Sequence, residues 1–570
     1  MARIRVVDIR NFRCLKSFTW RPSSGINCLI GSGDAGKSSV LDAVDLCLGA
    51  RRSLSFSDAD FHGLDVSAPI SISITLGELD DSLKSMEVYG NYLRSFDAAA
   101  GEIDDEPESG KETVLTLNLS VKNDLEPVWT LISERSEAQG QTRYLTWSDR
   151  NRLCPTRIGA FAENDLAWRR GSVLTKLSDE KAETSGAMAE AARQARAAFG
   201  DIAEQQLSAT LGIVGTTARE LGIDIGTQPK ALLDAHSVSF SGGMIALHNE
   251  AGIPLRGLGT GSARLLVAGL QRKAAKEATV ILIDEVEHGL EPHRLVRLLQ
   301  SIGSKETPPP LQGFLTTHSP VVVRELSAEQ LTVLRRGKDG HHARVVGTKA
   351  EIQGTLRLFP EAFLSSSVLI CEGASEVGLV RGIDQFRTAG GKVPMQAVGV
   401  TLVDANGCDN LYRRANAFHS LGYRTNVLRD DDKQPDRGIE ETFSKAVGAI
   451  FRWREGCALE DELFASLPAD AVTALLAHSV KLHGEELVGA HITSASGGKI
   501  ALAACRKAVT PETRTCLAKA CATKNNPWFK SVTAMEHCGR EIVGPALAQC
   551  DAGFRAIVER IFAWIDDGRA

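Results

Sequence analysis

A chain of 570 residues is too long for one hydrophobic core, so three or four folding units are expected, and ordinary apolar (43%) and charged (24%) fractions exclude a disordered or fibrous protein. The net charge of −6 argues against a basic coat, so any contact with DNA must use a local basic groove or a bound metal. Charges break up the apolar stretches of MARIRVVDIRNF, and no later apolar run has the length of a membrane span; this points away from a secretory leader or a membrane and toward the cytoplasm.

In chain order, RIRVVDI (3–9) and INCLI (26–30) read as short strands. The second runs into Gly31-Ser-Gly33-Asp-Ala-Gly36-Lys37-Ser38, a GxxxxGK[ST] pattern, followed by the helical pattern SSVLDAVDLCLG. Strand, glycine loop and helix are what a phosphate cradle needs. The glycines let backbone N–H groups wrap the phosphates, with Ser39 in the same turn. Lys37 reaches the β and γ phosphates, and the Ser38 hydroxyl ligates Mg²⁺. ATP with Mg²⁺ is the expected cofactor.

ISISITL and TVLTLNLSV are further strands, and the acidic stretch GEIDDEPESGKE between them reads as a solvated loop. Residues 178–221 are rich in Ala, Glu, Gln and Arg and predict a helical insertion spanning 161–236, read as a dimerisation arm ahead of a covering layer. The α/β pattern resumes over 237–346, where ATVILIDE and QGFLTTH have the continuous apolar character of buried parallel strands. The first ends in Asp284 and Glu285. Asp284 would hold the nucleotide's Mg²⁺ and Glu285 would orient or deprotonate the attacking water. The ATPase unit is thus expected in two parts, 1–160 and 237–346, with a connector at 347–363.

These motifs resemble the ABC-type ATPase heads of SMC and RecF-like proteins. IRNFRCLKSF is similar to their first strand and turn, and Gly257-Leu-Gly-Thr-Gly-Ser262-Ala-Arg264 stands where their signature loop lies, although it departs from LSGGQ. The resemblance implies that Ser262 completes the nucleotide site of an opposite head, so at least a dimer is expected. It also implies that Gly289-Leu-Glu-Pro292 is the D-loop and that His318, in Thr-His-Ser, senses the γ-phosphate.

A second alternation of strands and helices fills 364–570 and predicts another parallel sheet. SSVLICEG ends a strand in Glu372 and Gly373, with Glu376 on the next helix, and TNVLRDDD ends a later strand in Asp430, Asp431 and Asp432. In a parallel sheet these ends share one edge, so Glu372, Asp430 and Asp432 converge where open α/β sheets bind ligands. Carboxylates concentrated in this way call for a hard cation, Mg²⁺ or Mn²⁺.

The glutamate-glycine and DxD pair resembles a Toprim domain, and the order ATPase, helical insertion, Toprim is similar to the OLD (overcoming lysogenisation defect) nucleases, among them the nuclease subunit of Gabija antiphage systems. The resemblance implies an α/β multidomain protein that cuts DNA by two-metal phosphodiester hydrolysis, as a homodimer or homotetramer, with a helicase-like or other defence partner. It also implies a later acid, for which Glu460 and Glu462 are equal candidates, and a transition-state lysine, Lys530 ahead of Lys524. A second reading, a nucleotide-sensing assembly ATPase with an inactive or partner-triggered Toprim unit, fits the same motifs.

Overall fold

The computed structural model describes residues 2–51, 53–159, 247–274, 280–337, 340–347, 350–447 and 450–569, with short stretches between 166 and 230. The strand Ile26–Ile30, buried at all five positions, lies inside a six-stranded sheet. Its order is Gly340–Val345, Leu331–Gly337, Ile26–Ile30, Gln312–Thr316, Val280–Ile283, Thr156–Ile158. All neighbours are parallel except the Leu331–Gly337 and Gly340–Val345 pair. Strands covered on both faces need apolar residues at successive positions, which is why INCLI and VILI carry no alternation. In register, Ile283 lies beside Leu315 and Leu29 beside Thr316, so Gly31, Asp284 and Thr317 leave the sheet along one edge.

A seven-stranded antiparallel sheet runs Leu15–Trp20, Arg3–Phe12, Ile70–Gly77, Glu112–Val121, Leu93–Asp97, Glu102–Asp104, and Pro127–Leu131 also pairs with Glu112–Val121. Its apolar face shares a core with Val40, Leu41 and Val44 of the helix Lys37–Leu48. The acidic stretch expected as a loop is corrected here: Glu102–Asp104 is a strand paired with Leu93–Asp97. Asp105 after it accepts the backbone N–H groups of Glu134 and Arg135 at 2.7 and 2.9 Å. Short charged strands at a sheet edge look like loops because only one side is paired.

Most of the helical insertion lies outside the described residues. Within it the helix Ser208–Glu220 is described, with Ile213 and Val214 exposed. The connector is not a loose link. It forms a helix, Ala350–Leu358, and a 3₁₀ turn, Pro360–Leu364, whose Leu356, Ala362 and Phe363 join a core continuous from Ile26 to Phe418. Arg335 donates to the carbonyls of Ser365 and Ser366 at 2.8 and 3.1 Å and lies 3.9 Å over the Tyr423 ring.

The last sheet has four parallel strands in the order Val400–Asp404, Ser367–Cys371, Arg424–Arg429, Phe451–Arg452. The chain leaves Ser367–Cys371 first for one side and then for the other, which makes the end of that strand a switch point where a crevice opens. Helices from Leu459–Ser466 to Ala552–Asp566 pack on this sheet through a second core. Among the described residues no helix is long and apolar enough to cross a membrane.

Candidate nucleotide and metal sites

The glycine loop is shaped by backbone requirements. Gly31 and Gly36 have φ of 143° and 87°, and a Cβ would lie 2.6 Å from the Leu334 carbonyl at the first and 2.7 Å from Cys14 Sγ at the second. Both positions therefore exclude other residues twice over. Around Gly33 the space is open. The helix Lys37–Leu48 begins at Gly36 without a side-chain cap, so its first N–H groups are available to an anion. Lys37 is buried, and its ammonium donates to the carbonyls of Gly31 (3.1 Å) and Ser32 (2.8 Å). Burial lowers its pKa against the pull of Asp284, Glu287 and Asp34. Phosphate oxygens would replace these carbonyl partners.

The Ser38 and Thr316 hydroxyls both donate to Asp284 Oδ1, at 3.1 and 2.5 Å, which places the two groups assigned to Mg²⁺ together. Ser39 Oγ accepts from the Cys14 thiol at 3.6 Å. Glu285 is exposed and has φ of 44°, a conformation that costs a non-glycine residue about 1–2 kcal/mol. Arg264 holds this turn. It is fully buried and donates to the carbonyls of Asp284, Glu285 and His288 at 3.0, 3.1 and 2.6 Å. His318 is exposed, and its backbone N–H donates to Glu287 Oε1 at 2.7 Å, while the Thr317 hydroxyl donates to Oε2 at 2.7 Å. Ser262 accepts from Arg294 of its own chain at 2.9 Å. A Cβ on Gly261 would stand 2.1 Å from the Gly289 carbonyl, so the signature and D-loop stretches touch.

Arg264 and Glu287 are organising residues that no sequence motif marks. Arg264 was only the last letter of the signature stretch. Glu287 has no distinguishing spacing.

At the switch point of the last sheet, Glu372 Oε2 accepts the backbone N–H of Asp430 at 3.0 Å, and Asp430 Oδ1 accepts that of Leu459 at 2.9 Å. Glu376 is 2% exposed; its Oε2 accepts the Gly373 N–H at 2.9 Å, and its Oε1 has no partner. Glu460 is 1% exposed, with Lys530 Nζ 2.8 Å from its Oε1 and no hydrogen-bond partner at Oε2. Asp432 is exposed beside this group. Burial, with like charges second, pushes the carboxyl pKa values up. Glu372 is raised, Glu376 is raised well above the usual range, and Asp430 is pushed up to about 7. Lys530 is raised too, but here the shift favours the charged form. Burial disfavours its ammonium, but Glu460, Glu376 and Asp430 outweigh that and raise its pKa.

Glu460 and Glu462 are now separable. Glu462 is fully buried in a different direction, accepting from Arg454 Nε and Nη2 at 2.9 and 2.7 Å, from the Arg454 backbone at 2.7 Å and from Ser466 at 3.1 Å. Its oxygens are committed, so its assignment as a metal ligand is withdrawn. Lys524 is exposed and makes no ion pair with the cluster, whereas Lys530 does. Among the described residues no three His, Cys, Asp or Glu side chains stand close enough, as placed, to hold a metal ion. The donor set nevertheless fits one: hard carboxylate oxygens, two of them buried without partners, with proton affinities raised by mutual repulsion.

Asp431, the middle acid of the triple, is a clamp rather than a candidate ligand. It pairs with buried Arg429 at 3.0 Å and accepts the Gly456 N–H at 3.0 Å, while its own N–H donates to the Cys457 carbonyl at 2.9 Å. Arg429 also donates to the Asp430 carbonyl at 2.6 Å and pairs with Glu440 at 3.1 Å. These bonds tie the Asp430 turn to the loop leading into Glu460. Asp431→Ala is expected to raise the metal concentration for half-maximal cleavage about 10–100-fold, the usual cost of losing an outer support, with ATP hydrolysis unchanged. Titrating Mn²⁺ in both assays checks this.

Comparison with known proteins places both units. Residues 26–324 match the family described as “AAA domain, putative AbiEii toxin, Type IV TA system”. Residues 363–432 match that described as “Overcoming lysogenization defect protein-like, TOPRIM domain”. A stretch of 112 residues is 27% identical to the DNA replication and repair protein RecF of Chlorobium phaeovibrioides, covering 18% of this chain and 30% of that one. The chain thus spans under a third of that relative's length. Among solved structures, the Smc head domain with an extended coiled coil, bound to the C-terminal domain of ScpA and derived from Pyrococcus furiosus, is 14% identical over 60% of this chain and 96% of that one, at a TM-score of 0.33. The SMC head domain from Thermotoga maritima is 13% identical over 61% and 100%, at 0.29. At these scores the likeness adds nothing to the fold described above.

Proposed function

We infer that this chain, which belongs to the AAA-type P-loop ATPases and through its Toprim unit to the overcoming lysogenization defect family, is a metal-dependent DNA endonuclease whose cutting is governed by ATP. The observation that carries the reading is the buried carboxylate group at the sheet's switch point, with Lys530 on it. Glu372, Glu376, Asp430, Asp432 and Glu460 would hold divalent metal, which supplies an activated water and charge stabilisation on the attacking and leaving oxygens of a phosphodiester. Lys530 then offsets the charge that develops on the phosphoryl oxygens.

At the other site, Lys37 and the free helix N-terminus bind the ATP phosphates. Ser38 and Asp284 hold Mg²⁺, Glu285 orients water and His318 faces the γ-phosphate. Ser262 would act on the nucleotide of a second head, so the working form is a dimer, or a tetramer if the helical insertion adds a contact. A role in antiphage defence, with a helicase-like partner as in Gabija systems, follows from the family alone.

The test is incubation of supercoiled plasmid with Mg²⁺ or Mn²⁺, with and without ATP, for the unaltered protein and Lys37→Ala. Nicking that needs metal and changes with ATP in the unaltered protein only supports the reading; no cleavage under any condition removes it.

Proton linkage gives a further expectation. Burial, with the like charges of Glu460 and Glu372 second, pushes the Asp430 carboxyl up from 3.8 to about 7, so the folded state holds this proton more tightly than the unfolded state. Stability without metal should therefore fall as the pH rises from about 4 to 7, and metal should restore it. Metal binding near pH 7 should release protons and tighten as the pH rises. Calorimetry in two buffers of different ionisation enthalpy measures the release; identical heats would refute it.

A further inference from the structure

The basic charge of the last unit is concentrated. Between Lys481 and Lys530 there are eight lysines and arginines and three glutamates, in a chain of net charge −6. The two arginines are used internally. Arg506 pairs with Glu485 at 2.5 Å, and Arg514 donates to the carbonyls of Phe464 and Leu467 at 2.6 and 2.8 Å. Lys519 and Lys524 differ from them, being exposed and making no ion pair among the described residues.

Their positions are fixed by the fold. The helix Pro511–Cys521 turns Thr513, Cys516, Leu517, Ala520 and Cys521 inward, which leaves Lys519 on its outer face in the last turn. The Trp528 N–H then donates to the Cys521 carbonyl at 3.1 Å, closing residues 522–527 into a loop that carries Lys524. The base of this loop is anchored. Trp528 and Phe529 are buried, the Trp528 indole donates to His491 Nδ1 at 3.1 Å, and His483 Nε2 lies 2.9 Å from the Trp528 carbonyl. Lys530 follows directly and reaches Glu460. The helix end, the closed loop and the metal cluster thus adjoin one another, with an unpaired lysine on each of the first two.

A cluster of carboxylates repels the polyanion it is meant to cut, so cations must stand beside it. We propose that Lys519 and Lys524 form a rim that holds the phosphate backbone of DNA next to the carboxylate cluster, placing one phosphate at Lys530. This rests on the nuclease reading above.

The test measures binding of a labelled duplex over a range of salt concentrations with full-length protein carrying Glu372→Gln, so that the duplex stays whole, with and without Lys519→Ala/Lys524→Ala. Two lost phosphate contacts should flatten the slope of log K against log salt by about 1.8, at roughly 0.9 per contact. With Glu372 intact, the double variant should show a raised KM for DNA, an unchanged kcat and an unchanged metal requirement. Unaltered ATP hydrolysis and thermal midpoint verify its fold. An unchanged slope in a protein that still cuts DNA overturns the rim alone. Loss of kcat without loss of affinity also overturns it, and assigns the lysines to the chemistry. If the parent protein neither binds nor cuts DNA, the rim and the nuclease reading fall together.

Discussion

Glu372→Ala is expected to lower metal-dependent DNA cleavage by at least about 100-fold while ATP hydrolysis continues at the unaltered rate. Loss of an outer support alone costs a metal site about 10–100-fold, and Glu372 combines that role with a direct one. It stands at the end of the strand Ser367–Cys371, between two parallel neighbours, and accepts the Asp430 N–H. Removing it would delete a ligand and release the turn that presents Asp430. Mn²⁺ binding should weaken together with the nicking rate. Cleavage within about threefold of the unaltered protein would place the chemistry elsewhere and favour a nucleotide-sensing assembly ATPase.

The two halves of the chain were legible for different reasons. The glycine loop announces itself because each residue has one task and the spacing is set by a backbone turn; Gly31 and Gly36 occupy conformations and spaces closed to other residues. The strand ends at Asp284, Glu372 and Asp430 were legible because continuous apolar runs mark buried parallel strands, whose ends share the sheet edge where ligands bind. The sequence could not rank Glu460 above Glu462. Both lie on the first turn of one helix, and only the packing shows that Arg454 takes the second. Asp431, the residue between the two acids of the DxD pair, carries no role that spacing reveals, and it is the buried partner of Arg429. Arg264 acts through backbone carbonyls, and Glu287 through the His318 N–H and the Thr317 hydroxyl, contacts made across the sheet edge that leave no periodicity. The acidic strand Glu102–Asp104 was missed because its charges satisfy the needs of an exposed edge.

Lys530 leads to the most discriminating expectation, because its two effects should have opposite signs. Its ammonium lies 2.8 Å from Glu460 Oε1 and interacts favourably with Glu376 and Asp430, so before metal arrives it supplies the positive charge that the buried carboxylates lack. A metal must compete with it. Lys530→Ala should therefore leave metal affinity equal or tighter, measured as Mn²⁺ binding to the protein without DNA. Charge developing on the phosphoryl oxygens would at the same time lose a side-chain cation, and removal of one such group typically costs about 10²–10³-fold in kcat. Lys530→Arg should recover part of the rate, since it keeps the charge but changes the reach. A purely structural lysine would give another pattern, in which Lys530→Ala weakens metal binding and thermal stability together and Lys530→Arg restores both without changing kcat at saturating metal. Weaker Mn²⁺ binding accompanied by an unaltered rate would therefore remove Lys530 from the chemistry and make it a brace for Glu460.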